Sequence, residues 1–461
     1  MTDQICISPV DGRELARRPT ESPAAMEAIL ADARRAQREW AEVPIAERGR
    51  KMLVFLDALL GLNQQIIPEL ALQMGRPVRF GGEMRGVEER VKHCVATAEA
   101  SLAPIVPEPK PGFRRMIKRT PLGLVFVIAP WNYPFLTAVN TIVPALIAGN
   151  AVLLKHAAQT ILVGERFQEA MDKADLPKGL FRNVVLDHEQ SGALIAAGAF
   201  DHINFTGSVA GGRAVEKAAA GTFTSLGLEL GGKDPAYVRA DADLDFAIEN
   251  IVDGAFYNSG QCCCGVERIY VHESLYDRFV AGAVELTSRY VLGNPLDDAT
   301  TLGPMSATRF AETVRSQTRE ALEKGAKAHL DPRAFPGDRE GTPYLAPQIL
   351  TEVDHSMRVM VEESFGPVVG IMKVRDDDEA VRLMNDSPYG LTASIWTREA
   401  DVAEALGDRI ETGTVYMNRC DYLDPALAWT GVKDTGRGAS LSEIGFQLLT
   451  RPKSFHLREV G

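Results

Sequence analysis

Three cysteines stand together in NSGQCCCG: Cys262, Cys263 and Cys264, half of the six in the chain. Adjacent side chains point in different directions, so three neighbours cannot share one environment. Cysteine is most often a buried and inert packing residue. A tetrahedral metal site would need a CxxC pair or a nearby histidine, and neither accompanies the cluster, so no metal is expected. The remaining active reading is one thiolate nucleophile flanked by small packing residues. Such a nucleophile needs a base and a stabiliser for the oxyanion it creates. Glu229, in LELGGKDP, has the right type: a carboxylate beside a Gly-Gly turn can be a partly buried base. Asn132, in APWNYP, carries an amide NH₂ that can donate to an oxyanion. Taken singly, the first reads as a strand-end glutamate and the second as a turn asparagine.

Two further positions suit a nucleotide. FTGSVAGG, Phe205 to Gly212, follows an apolar run and opens a helical one, and glycines there let backbone approach a phosphate at a helix N-terminus. It is not the GxGxxG fingerprint. Lys155 ends AVLLK, where it can reach ribose hydroxyls or a phosphate, although such a lysine is more often simply solvated.

The elements that must hold these residues follow from periodicity. Ser22 can cap a helix that Pro23 opens, with Ala25, Ile29, Ala33 and Ala36 along one face. Helical pattern continues to Gly75, and APIVPEPKPG, residues 103–112, is a linker or crossing loop. Beyond it, short apolar runs (GLVFVIAP, AVLLKHA, FRNVVLD, HINFTGS) alternate with amphipathic helices. That pattern predicts an α/β fold, a parallel sheet covered on both faces with ligands at the carboxyl ends of its strands. A second α/β region begins near Gly232, with strands over ERIYVHE, VVGIMKV, TASIWT and GTVYMN. The tail QLLTRPKSFHLREV can form one more strand, remote from both sheets.

A chain of 461 residues suits two or three domains. Its net charge of −12 argues against a nucleic-acid or anionic-membrane surface. The most apolar stretch, from Leu122 to Lys155, is interrupted by Asn132, Pro134, Asn140, Pro144 and Asn150 and is no membrane span. The first residues show no basic segment followed by an apolar core, so no signal peptide is expected. The other cysteines, Cys6, Cys94 and Cys420, are scattered without disulfide-framework spacing, which fits a reducing cytoplasm.

In order along nearly the whole chain stand PWNYP, LLK, FTGS, ELGGKDP, NSGQCC, EESFGPV and GVKDTGRG. This series resembles the NAD(P)-dependent aldehyde dehydrogenase superfamily, of the hydrolytic, acid-forming type. The resemblance implies a Rossmann-like dinucleotide-binding domain (1–107 and 121–231), an α/β catalytic domain (232–434) and a small β bridging or oligomerisation element (108–120 and 435–461). It implies Cys263 as nucleophile, Glu229 as base for hydrolysis and Asn132 as oxyanion donor. It assigns Lys155, Gly207, Ser208, Trp131, Glu363 and Phe365 to NAD or NADP. It further implies a homodimer or homotetramer, built through pairing of GFRRMIKRT with KSFHLREV.

The chain also departs from that family. A glutamate often found three residues after the ribose-binding lysine is Ala158 here, which removes a repulsion against a 2′-phosphate, so NADP⁺ is expected to be tolerated. A lysine often found nine residues after the oxyanion asparagine is Thr141. AWTG replaces PFGG, so Trp429 stands in for a pocket phenylalanine. With Trp131 and Tyr133 it suggests aromatic walls and an aromatic or medium aliphatic aldehyde. Arg419 could bind the carboxylate of a semialdehyde such as succinate semialdehyde, or pair with Asp421 or Asp424; pairing is the simpler expectation. A CoA-acylating enzyme, a cofactor-free cysteine hydrolase and a non-catalytic binding protein on the same fold are the alternatives.

Overall fold

The computed structural model describes residues 2–459. Its first element is one the sequence pattern does not announce. Two short, charge-rich strands, β1 (Asp3–Ile7) and β2 (Glu14–Pro19), pair as an antiparallel hairpin. The expected helix follows. Ser22 accepts a hydrogen bond from the Ala25 amide at 3.2 Å, Pro23 opens α1 (Pro23–Ala41), and Met26, Ala33, Ala36 and Trp40 are buried along its face. Then come α2 (Ile45–Gly61), α3 (Asn63–Met74) and α4 (Met84–Ser101).

The alternating segment is β3 (Phe113–Pro121), β4 (Leu124–Ala129), α5 (Pro134–Ala148), β5 (Ala151–His156), α6 (Ile161–Lys173), β6 (Phe181–Asn183), α7 (His188–Ala196), β7 (His202–Thr206), α8 (Val209–Ala219) and β8 (Ser225–Glu229). Every residue of β4 and β5 is buried, which is why both read as unbroken apolar runs. From β4 the chain steps to β5 and β6 on one side, then crosses back to β7 and β8 on the other; the order is β8-β7-β4-β5-β6, all parallel. That reversal at β4 makes a crevice beyond the carboxyl ends of the strands, where Rossmann-like sheets bind nucleotides.

The second sheet starts at β9 (Asp234–Val238), a five-residue strand hidden behind the Gly-Gly turn, and continues through α9 (Leu244–Phe256) and β10 (Val266–His272). With β11 (Lys327–Ala328), β12 (Gln348–Thr351) and β13 (Val368–Val374) the order is β11-β12-β13-β10-β9, followed by Thr392–Trp396 and Thr414–Met417. All pairs are parallel except β11 with β12.

The tail strand Thr450–Arg458 pairs antiparallel with β3, from Phe113 opposite Arg458 to Pro121 opposite Thr450, in a largely exposed ribbon apart from both sheets. The expected bridging segment 435–461 is thus divided. Gly436–Arg437 adds antiparallel to β8, and the helix Ser442–Leu448 puts Phe446 into the core of the first sheet. Only the following strand enters the ribbon. Residues 460 and 461 of that segment, and residue 1 of the first, lie outside the described residues. Among the described residues no helix is long and apolar enough to cross a membrane.

Candidate active site

Beyond β4, the turn from Pro130 to Tyr133 carries Asn132, which is buried. Its Nδ2 donates to the Gln261 carbonyl at 3.3 Å, bringing the turn onto the cysteine loop. That loop leaves α9 through Asn258 (φ 53°), Ser259 (φ 58°) and Gly260 (φ 71°). Only glycine suits the third position, because a Cβ there would lie 2.4 Å from the Gly366 carbonyl oxygen. Ser259 Oγ donates to the Gly303 carbonyl at 2.8 Å, and Gln261 Oε1 accepts from the Ser306 amide at 2.7 Å. The loop is pinned on both sides before it reaches the cysteines.

The three thiols then separate. Cys262 (9% exposed) and Cys264 (2%) are buried, with their sulfurs 3.4 Å apart, whereas Cys263 remains partly accessible. Around them pack Leu391, Trp429 and Leu441, with Tyr133 and Leu423 at the edge. Tyr416, Arg419, Tyr422, Leu423, Trp429 and Leu441 help to line an adjoining cavity of about 200 Å³. The Arg419 guanidinium lies 3.8 Å from the centre of the Tyr422 ring. It forms no ion pair with Asp421 or Asp424, contrary to the simpler expectation. The flat guanidinium finds a stacking surface in that ring.

Glu229 ends β8. Its Oε2 accepts from Thr206 Oγ1 at 3.0 Å, while its Oε1 is buried with no partner. Burial pushes its carboxyl above the ordinary carboxylate range, although the neighbouring Ser440 and Thr206 hydroxyls and the Arg90 charge oppose this. The next two residues explain the Gly-Gly turn. A Cβ on Gly231 would stand 2.3 Å from the Glu363 carboxylate, and one on Gly232 would stand 2.7 Å from the Cys263 carbonyl oxygen. Two glycines therefore let the strand that ends in Glu229, the cysteine loop and Glu363 close on one another.

Glu363 Oε1 accepts from the Gly232 amide at 3.1 Å; burial, then the neighbouring Glu267 charge, pushes its carboxyl up to about 8. Phe365 meets Trp131 edge-on at 5.5 Å, and Phe310 stacks on Trp131 at 5.3 Å. Sequence reasoning missed the pair that shapes this loop. Lys233 and Glu267 form a buried ion pair at 2.5 Å, and Glu267 accepts from the Ser364 and Phe365 amides, both at 2.8 Å. It also missed Arg76 and Glu83, buried behind Asn132. Arg76, Glu83 and Glu267 lie outside the motifs, and Lys233, although within ELGGKDP, carries no role there, so only their contacts reveal them.

The residues expected to hold a dinucleotide sit along the crevice. Lys155, opposite Ile128 in the β4–β5 register, is buried, and burial lowers its pKa. Ser208 caps α8 by accepting from the Gly211 amide at 3.2 Å. Gly207 and Gly211 serve the protein first: a Cβ on either would meet the Phe205 ring, at 2.8 and 2.6 Å. A buried ammonium at a strand end, a helix N-terminus and a buried carboxylate fit the ribose hydroxyls and pyrophosphate of a dinucleotide. Ala158 follows β5 in a single helical turn. Thr141 is buried and, with His202, Asn204 and Ser440, lines a small polar cavity of about 60 Å³. Among the described residues no cluster of His, Cys, Asp or Glu could hold a metal ion.

The sequence profile of the aldehyde dehydrogenase family matches residues 2–455. The chain belongs to the aldehyde dehydrogenase family. It is an NAD(P)-dependent oxidoreductase. It is 36% identical over 451 residues to a 4,4′-diapolycopene aldehyde oxidase of Methylomonas sp., covering 95% of this chain and 82% of that one. It is 32% identical to a succinate-semialdehyde dehydrogenase [NADP(+)] of Deinococcus radiodurans, covering 97% and 93%. Among solved structures, an NAD-dependent aldehyde dehydrogenase from Sinorhizobium meliloti superposes with a TM-score of 0.94 at 30% identity, covering 99% and 92%. The α/β architecture expected from the sequence is that of these aldehyde dehydrogenases.

Proposed function

We propose that the protein oxidises an apolar aldehyde, aromatic or medium aliphatic, to its acid through a covalent intermediate on Cys263. The observation that carries this reading is the division among the three thiols: only Cys263 is partly accessible, at the edge of the apolar cluster of Leu391, Trp429 and Leu441, with Asn132 and Glu229 on adjoining segments. The Cys263 thiolate attacks the carbonyl carbon, a C–S bond forms, and the carbonyl oxygen becomes an oxyanion. Asn132 Nδ2 and the Cys263 N–H donate to it. A nicotinamide held beside Cys263 by Glu363, Trp131 and Phe365 would supply the acceptor for the hydride of the thiohemiacetal carbon, which leaves a thioester on Cys263. Glu229 Oε1, free of any protein donor, takes a proton from water; the hydroxide adds to the thioester, the C–S bond breaks, and acid and thiolate separate. That unpartnered oxygen supports water over CoA as the acyl acceptor.

Lys155 and Ser208 are assigned to the adenosine ribose and pyrophosphate, with the backbone at Gly207. Glu363 is assigned to the nicotinamide ribose, with Trp131 and Phe365 packing close by. Ala158 leaves room and neutral potential for a 2′-phosphate, so NADP⁺ serves as well as NAD⁺. The exposed ribbon of β3 and Thr450–Arg458 supports assembly as a homodimer or homotetramer. A second reading, a semialdehyde substrate, draws on Arg419, which lines the cavity and is free of a carboxylate partner among the described residues.

A panel of aldehydes against both cofactors tests the proposal through kcat/KM. Benzaldehyde and hexanal should lead it, with KM values for NADP⁺ and NAD⁺ within about tenfold of each other, a gap of ~1.4 kcal/mol. Succinate semialdehyde leading by a similar margin would transfer the assignment to Arg419. Glu229→Gln should keep a stoichiometric first burst of reduced cofactor while steady turnover falls ~100-fold or more. A variant with no burst, or with unchanged turnover, contradicts the role given to Glu229.

A further inference from the structure

We propose that Arg76, with Glu83, is a positioning residue for the oxyanion side of the site: it holds the Asn132 turn at a set distance from the Cys263 loop. The proposal rests on the assignment of Asn132 as oxyanion donor. Arg76 follows Gly75 (φ 85°), where a Cβ would lie 2.0 Å from the Pro304 carbonyl oxygen, so the chain is pressed into the interior at this point. The two side chains are 2% and 3% exposed, and Arg76 Nη1 meets Glu83 Oε1 at 2.5 Å. The remaining donors reach the site. Nη2 donates to the Asn132 carbonyl at 2.6 Å, and Nε donates to Asn258 Oδ1 at 3.4 Å. The guanidinium also lies 4.8 Å from the centre of the Tyr133 ring.

Glu83 extends the clamp. Its Oε2 accepts from the Phe135 and Leu136 amides, at 3.1 and 2.8 Å, and so caps the start of α5 immediately after the Asn132 turn. Asn258 Nδ2 reaches both the Asn132 carbonyl (3.4 Å) and the Gln261 carbonyl (3.3 Å). Asn132 is thus held firmly by its main chain, while its own amide rests at 3.3 Å on Gln261, two residues before Cys263. A short hydrogen bond on the backbone and a long one on the side chain leave the donor fixed in place yet free to exchange its acceptor for an oxyanion. A planar fork with five donors can hold Glu83, Asn132 and Asn258 together; a lysine ammonium lacks that reach. Glu83 supplies the counter-charge that a buried guanidinium requires. Donor placement is what such a site depends on, since a shift of about 1 Å lowers rate about 100-fold.

The test is a double-mutant cycle on the full chain. Cys263-dependent hydrolysis of p-nitrophenyl acetate, which acylates a thiolate through an oxyanion without a dinucleotide, is measured beside benzaldehyde oxidation. Arg76→Gln should lower kcat/KM for both by about 10- to 100-fold, with the dinucleotide Kd unchanged. Asn132→Ala should lose about 100- to 1,000-fold. The double variant should be no worse than Asn132→Ala alone, because Arg76 acts through Asn132. Arg76→Lys should lie between wild type and Arg76→Gln, and it carries the same comparison where Arg76→Gln does not fold. Losses that multiply in the double variant overturn the proposal and leave Arg76 a purely structural residue. An Asn132→Ala variant as fast as wild type also overturns it, by removing the donor to be positioned. Wild type that turns over the ester but no aldehyde sinks the aldehyde reading alone, and the ester cycle still decides Arg76. Turnover of neither compound overturns both.

Discussion

At the scale of single residues, three chemically identical thiols receive different environments from their backbone alone. Cys262 and Cys264 are buried with their sulfurs 3.4 Å apart, while Cys263 stays partly accessible. Cys263→Ser is expected to lower aldehyde oxidation by about 10³-fold or more, as loss of a nucleophile does. Cys262→Ser and Cys264→Ser should keep most activity. Equal inactivation of the Cys262 and Cys263 variants in a steady-state assay would misplace the nucleophile. Glu363 gives a pH prediction. Its folded pKa, about 8, lies above the ordinary value of 4.5, so the fold favours its protonated form. The stabilisation this confers is complete below about pH 4.5 and is lost as pH rises through about 8. Melting temperatures of wild type should therefore fall against those of Glu363→Gln across that window. Parallel profiles would show that Glu363 titrates normally.

At the scale of elements, the site is built from strand ends and the turns that follow them. β4 presents Asn132, β5 Lys155, β7 the Ser208 cap and β8 Glu229, while α9 hands its chain to the cysteine loop. The sequence showed β4 and β5 most plainly because every residue of both is buried and no polar alternation blurs them, whereas β8, half-buried and only five residues long, went unread among the apolar runs. It did not show why each glycine is where it is. Those of FTGSVAGG read as phosphate-binding, yet Gly207 and Gly211 seat the Phe205 ring, and those of ELGG admit Glu363 and the Cys263 carbonyl. Gly260 makes this testable. Its φ of 71° and the Gly366 carbonyl at 2.4 Å both exclude a side chain. Gly260→Ala should destabilise the fold by more than ~1 kcal/mol. Denaturant melts check this, and an unchanged midpoint would mean that the loop relaxes freely.

At the scale of the whole molecule, the last segment of chain ties the parts together. Gly436–Arg437 extends the first sheet beside Glu229, Phe446 enters that sheet's core, and Thr450–Arg458 leaves to pair with β3. The boundary at residue 435 that the resemblance implied does not show this division, and a two-residue edge strand has no periodicity to detect. The tail strand of the ribbon is mostly exposed and β3 mostly half-buried, which leaves the ribbon's edges open to pairing. Ending the chain after Leu449 should leave both sheets intact and yield monomers by sedimentation. An unchanged oligomer would place the subunit interface elsewhere.

By itself, the sequence determined the α/β class, the alternation of strands and helices from β4 to β7, and the candidates Asn132 and Glu229, because these depend on local periodicity and on short motifs whose residue types limit the chemistry; Cys263 was singled out from its two neighbours by the family resemblance. Tertiary structure decided which thiol is accessible, where Arg419 points, and which buried charges hold the loops. Arg76 and Glu83, like Lys233 and Glu267, are ordinary charged residues in the sequence. Burial makes them matter, since a charge withdrawn from water must find its partners in the fold. Those partners come from segments far apart along the chain, such as Arg76 and Asn258, and only folding brings them together.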